Sequence, residues 1–187
     1  MNGARREDGF TLTEMIVASA IFSLVILVAG GIFLGQFRAQ QQVSAVTSTT
    51  TDAQLAGTSI DEGIRNSSGF KLTAVTGGQF LVARVAGGAS TLQWTCRAWF
   101  YSSTSHTIRT KTTTPGTPMV APTAAQLANW TLVVDGVQPR TGTTVFSASG
   151  ANVTVSFNAT TGDDYRPVAI EFSSSPLAGV TENSTCY

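Results

Sequence analysis

Lysine is almost missing from this chain of 187 residues, which has only Lys71 and Lys111, and charged residues of both signs amount to 12%. The formal net charge is zero. A chain so poor in cations lacks the basic stripe that neutralises nucleic-acid phosphates, so no direct nucleic-acid partner is expected. The one short basic run, from His106 to Lys111, reads as the solvated face of a strand. Histidine occurs once, as His106, in a Ser/Thr-rich stretch with no local partner for metal or nucleophilic work. Neither a nucleophile elbow nor a phosphate-binding loop is present. No catalytic constellation, metal set or cofactor motif follows from these residues, and an enzyme is not expected. Asp163 and Asp164 share a turn, where two adjacent acids read as solvated rather than as calcium ligands. Sequons at Asn66, Asn129, Asn152, Asn158 and Asn183 are expected by chance in so Ser/Thr-rich a chain.

Cysteine is equally scarce, with Cys96 and Cys186 alone. Far apart in sequence, they read as one disulfide if the domain lies outside the cytosol, against the alternative of two unrelated buried thiols. The position of Cys186 favours the bond, because a chain end needs tying down.

Apolar residues, in contrast, run without interruption. No charge occurs from Met15 to Phe37, more than the roughly 20 residues a helix needs to cross a bilayer core. Arg5 and Arg6 precede the run, so the positive-inside rule places the N-terminus in the cytoplasm and the rest of the chain beyond the membrane. The run is too long for a secretory-signal core, and no small-x-small cleavage site follows it. The Arg5–Arg6 pair lacks the remainder of a twin-arginine signal.

Glu14 stands at the head of this run. A carboxylate near the centre of a membrane helix costs about 2.5–3.5 kcal/mol, less near an end, and usually has a partner. Phe10 lies four residues earlier, on the same helical face. A cut between Gly9 and Phe10 would give Phe10 a free α-ammonium, able to neutralise Glu14 of its own chain or of a neighbour.

The stretch Arg5-Arg6-Glu7-Asp8-Gly9-Phe10-Thr11-Leu12-Thr13-Glu14-Met15 resembles the leader of type IV pilins and of the pseudopilins of type II secretion. A short charged leader ends in glycine, then come phenylalanine and, four residues on, glutamate before an unbroken apolar helix. Gly9, Phe10, Leu12, Glu14 and Met15 fall in place; Thr13 stands where isoleucine or valine is commoner. The likeness is close over about the first 40 residues and only architectural beyond.

The resemblance implies that a prepilin peptidase removes residues 1–9 and methylates the new amine of Phe10. It further implies a membrane reservoir of subunits in contact with lipid, drawn into a helical filament by an assembly ATPase and an inner-membrane platform protein. Glu14 would then meet the Phe10 amine of an adjacent subunit. Many major pilins carry a proline near what is Gly31 here; this chain has Gly30-Gly31, which weakens the helix by about 1 kcal/mol per glycine relative to alanine. Gly31-Ile-Phe-Leu-Gly35 also fits the small-xxx-small pattern of packed membrane helices.

Beyond Phe37 the helical period continues through Val43, Val46, Ala53, Ala56, Ile60 and Ile64. One helix from about Thr11 to Arg65 is therefore expected, roughly 80 Å long at 1.5 Å per residue. Asn66-Ser67-Ser68-Gly69 would end it, with Gly69 as C-cap. Strands follow. Leu92, Trp94, Cys96, Ala98 and Phe100 alternate with Gln93, Thr95 and Arg97. Val153, Val155 and Phe157 alternate with Thr154 and Ser156, and Val168, Ile170 and Phe172 with Ala169 and Glu171, the turn Thr161–Asp164 joining the two runs as a hairpin. Gln79–Ala86 and Trp130–Val134 are further strands, and Thr112–Pro122 is a surface loop. Trp94 and Trp99 read as core and interface residues.

The expected fold is α+β: a leader over 1–9, a helix over 10–66 whose membrane-spanning part is about 15–37, and a head over 70–187 with a single antiparallel sheet packed on the helix. The expected function is a structural filament subunit, leaning towards a minor pilin or pseudopilin. Its site residues are Gly9 and Phe10 for cleavage, Phe10 for methylation, Glu14 for assembly, and Cys96 with Cys186 for the disulfide. The rival is a signal-anchored adhesin or receptor that never polymerises.

Overall fold

The structure is a computed structural model that describes residues 11–87, 92–116, 118–160, 167–177 and 185–187. It falls into two compact units that part between Val43 and Ser44. One helix, α1 (Leu12–Arg65), runs through 54 residues without a break. The first proline of the chain is Pro115, so no missing N–H interrupts the helical ladder. Hydroxyls that would otherwise lack partners turn back onto the helix: Ser19 donates to the Ile16 carbonyl at 2.9 Å and Ser23 to that of Ser19 at 2.8 Å. Such internal bonds let serine sit in an apolar run. The segment is long and apolar enough to cross a membrane, with a mean hydropathy of 2.6 over its best 18-residue window.

In the second unit, α1 buries Thr49, Ala53, Ala56, Gly57, Ile60, Gly63 and Ile64. Val43 is exposed, unlike the later members of the expected periodic set. The helix does not end at a glycine cap. Asn66 N–H closes the last turn on the Glu62 carbonyl at 3.0 Å. The Ser67 hydroxyl donates to the Ile64 carbonyl at 2.7 Å, satisfying one of the terminal acceptors. Ser67 already begins β1 (Ser67–Val75), and Gly69 sits at a register shift within that strand. The expectation of Gly69 as C-cap is corrected: the serine hydroxyl takes that part.

Two antiparallel sheets follow, not the single one expected. The first has the order β1, β2 (Gly78–Gly87), β3 (Gln93–Ser102), β4 (Thr107–Thr113) and β5 (Thr131–Val134). Thr112 and Thr113 belong to β4, so the surface loop begins later than the prolines suggested. A four-residue helix, α2 (Ala124–Leu127), lies within the β4–β5 connection. In the second sheet β8 (Asn152–Ala159) is flanked on one edge by β6 (Val137–Pro139) and β7 (Phe146–Ser149), end to end, and on the other by β9 (Val168–Ser174). The hairpin pairing of β8 with β9 is present; its turn, with Asp163 and Asp164, lies outside the described residues.

The main core gathers the buried face of α1, Leu81, Ala83, Trp99, Tyr101 and Ile108 of the first sheet, and Val153, Val155 and Phe157 of the second. The opposite face of the first sheet forms a smaller core from Phe80, Val82, Cys96, Ala98 and Phe100 with Trp130 and Cys186. Strand β3 is therefore covered on both faces, which blurs the simple alternation expected of it, and Leu92 lies exposed just before it. Val168, Ile170 and Phe172 face the core while Ala169, Glu171 and Ser173 point outward, as their alternation predicts.

Two close approaches seat the helix. A Cβ on Gly63 would lie 2.6 Å from Cζ2 of Trp99 and nearer still to Cη2. The indole N–H of Trp99 and the Arg97 guanidinium both donate to the Ser59 hydroxyl, at 3.2 and 2.9 Å. Burial lowers the Arg97 pKa below the usual guanidinium value, and the Glu62 carboxylate acts in the opposite sense.

The sheets are joined by one amide. Gln79 is buried. Its Oε1 accepts from the backbone N–H groups of Val145 and Phe146 at 2.7 and 2.9 Å, and its Nε2 donates to the Phe146 carbonyl at 2.7 Å.

Candidate functional site

The first turn of α1 holds Glu14 in a closed local arrangement. Its Oε2 accepts from Thr11 N–H and from the Thr11 hydroxyl, both at 3.2 Å. Glu14 N–H in turn donates to Thr11 Oγ1 at 3.3 Å. This is a reciprocal capping box, Thr-x-x-Glu, in which side chain and backbone satisfy each other's free donors at a helix start. A carboxylate there also faces the positive end of the helix dipole. The spacing of Thr11 and Glu14 is legible in the sequence, where it went unread because attention fell on Phe10. Glu14 makes no ion pair among the described residues. Gly9 and Phe10 lie outside the described residues.

Behind Glu14 the helix presents apolar side chains on every side. Leu12, Met15, Ile16, Val17, Ile21, Phe22 and those that follow as far as Phe37 are more than half exposed. A Cβ added to Gly30, Gly31 or Gly35 would meet nothing within 4 Å. Packing inside the chain therefore does not explain these glycines, and their backbone surface stays accessible.

Cys96 and Cys186 are joined in a disulfide, with Cα atoms 5.4 Å apart and both residues fully buried. Cys96 is held on β3, facing the smaller core. Cys186 brings the chain end with it, and its carbonyl accepts from Met119 N–H at 2.8 Å. The bond thus fixes both the C-terminal residues and the loop before α2.

The remaining polar residues do not converge. Among the described residues no group of three His, Cys, Asp or Glu is placed to hold a metal ion. His106 sits in the turn before β4 at φ 53°, away from any such cluster. Trp94 is half-buried under the Arg84 guanidinium, 4.3 Å from its ring centre, and Trp99 is fully buried against the helix.

A family model described as the prokaryotic N-terminal methylation motif matches residues 4–30. The match takes in Gly9, Phe10 and Glu14 together with the first half of the apolar run. Comparisons with curated proteins and with solved structures found no match.

Proposed function

We propose that this chain, which carries the signature of type IV pilin and pseudopilin precursors, is a structural subunit of a type IV pilus-like or type II secretion filament. A prepilin peptidase cuts after Gly9, leaving a leader of residues 1–9 behind, and methylates the α-amine of Phe10. The mature subunit waits in the membrane as a single-pass protein, with the leader side cytoplasmic and the head, over 70–187, beyond the membrane. An assembly ATPase and an inner-membrane platform protein then draw it into a filament with other pilin or pseudopilin subunits. The disulfide, with only Cys96 and Cys186 to make it, suits a head outside the cytosol.

The observation that carries this reading is the position of Glu14 within the matched motif. Its carboxylate is bonded to Thr11 alone among the described residues. It therefore lies one residue beyond the place where cleavage creates a new ammonium. Exchange of neutral donors from Thr11 for the Phe10 ammonium of a neighbouring subunit strengthens its hydrogen bonds, because charge-assisted pairs are about twice as strong as neutral ones. That exchange offsets the cost of holding an acid at the membrane boundary and fixes one subunit axially against the next. The relatively large, disulfide-tied head favours a minor over a major subunit.

Mass spectrometry of the N-terminal peptide tests the cut directly, with N-methyl-Phe10 as the expected terminus. Gly9→Leu should leave the leader attached. Glu14→Ala should be processed and remain in the membrane but be lost from sheared filaments. A chain that begins at Met1 in the mature protein, or a Glu14→Ala protein that enters filaments normally, sinks the reading and favours an anchored surface protein.

A further inference from the structure

We propose a second site on the head: the cavity between β4 and the segment that carries α2 binds a carboxylate-bearing sugar. The cavity has a volume of about 410 Å³, within the usual range for small-molecule sites. Its polar wall comes from one strand face, where Lys111 and Thr113 lie two residues apart, and from Asn129 beyond α2. Its apolar wall is Met119, Pro122 and Trp130. Trp130 is held from behind by Phe80, edge to face, with ring centres 6.3 Å apart. Met119 is held by the Cys186 carbonyl, so the disulfide gives the cavity a fixed wall.

Two features specify the ligand. The first is charge. Lys111 is one of only two lysines in the protein, no acid lines the cavity, and Lys111 makes no ion pair among the described residues. The cavity therefore favours an anion. The second is the Thr113 hydroxyl, which is buried and has no hydrogen-bond partner. Such a group costs stability until something satisfies it. A hydroxyl and a primary amide exchange hydrogen bonds readily with sugar hydroxyls, the proline, methionine and indole surfaces suit the C–H faces of a pyranose, and the lysine ammonium takes its carboxylate.

The site is independent of the filament reading, because it is complete within one head and requires no maturation. The test uses the full-length protein in detergent, with methyl glucuronide as probe and methyl glucoside as its neutral counterpart. Saturation-transfer NMR reports contact and titration calorimetry reports affinity. The glucuronide should bind about tenfold or more tightly than the glucoside, and Lys111→Gln should abolish that preference while Lys71→Gln leaves it intact. Thr113→Val should weaken binding of both sugars with an unchanged or raised melting temperature, because it removes a hydroxyl that only the ligand satisfies. Equal affinity for the two sugars, no saturable binding at 10 millimolar, or an undiminished preference in Lys111→Gln overturns the proposal. So does benzoate competing as strongly as the glucuronide, or a Thr113→Val protein that melts lower and binds unchanged.

Discussion

At the scale of single residues, Gln79 stands in for a short strand. Its amide takes two backbone N–H groups and one carbonyl from the 145–146 segment, groups that would otherwise be buried without partners. Gln79→Leu keeps the volume and removes every one of these bonds. Each orphaned group costs about 1–3 kcal/mol. With partial relaxation, the urea midpoint of Gln79→Leu should fall by an amount equivalent to about 2–4 kcal/mol, with an unchanged slope. A loss below about 0.5 kcal/mol, the level of an ordinary surface substitution, would contradict this account. Gln79 was not legible in the sequence. Its partners lie 66 and 67 residues away, and a polar residue at a strand start gives no sign of what it meets. Glu14 was legible for the opposite reason, since an acid interrupting a membrane-length run is a local anomaly that a reader must explain. Its partner Thr11 lies three residues off and was equally open to reading as a capping box.

At the scale of elements, the seat of α1 on the first sheet depends on Gly63. Alanine there gains about 1 kcal/mol of helix propensity, yet its methyl enters the space of the Trp99 ring. Trp99 is fully buried, and overpacking such a core costs about 1–3 kcal/mol. Gly63→Ala should therefore melt lower than the parent protein, whereas Gly31→Ala, whose methyl meets nothing, should leave the melting of the head unchanged. Thermal unfolding followed by near-UV circular dichroism distinguishes them, and a Gly63→Ala head at least as stable as the parent refutes the steric argument. The helix itself, β2, β8 and β9 were readable from period and alternation. Strand β1 was not, because Gly69 reads as a stop signal and lies here at a strand irregularity. Nor were β6 and β7, with three and four residues, too short to display a period. Strand β3 misled in a different way: both of its faces are covered, and alternation encodes burial on one face only.

At the scale of the whole molecule, the disulfide spans a sequence separation of 90. Closing a loop of that size contributes about 4–5 kcal/mol in the chain-entropy account. The oxidised protein should show no titratable thiol under denaturing, non-reducing conditions, and reduction should lower its urea midpoint by a corresponding amount. Two thiols in that assay, or an unmoved midpoint after reduction, would count against the pairing. The α+β architecture, with a long N-terminal helix on antiparallel strands, was legible; the division of the strands into two sheets was not, because nothing local marks where pairing passes from β5 to β6. One feature of the architecture also bears on mechanics. Helix becomes strand across Asn66 alone, with the Ser67 hydroxyl bonded back to the Ile64 carbonyl. No slack tether separates the two, so tension arriving along the helix axis passes at once into the β1–β2 hydrogen bonds, and the head follows a tug on its stalk without first uncoiling a spring.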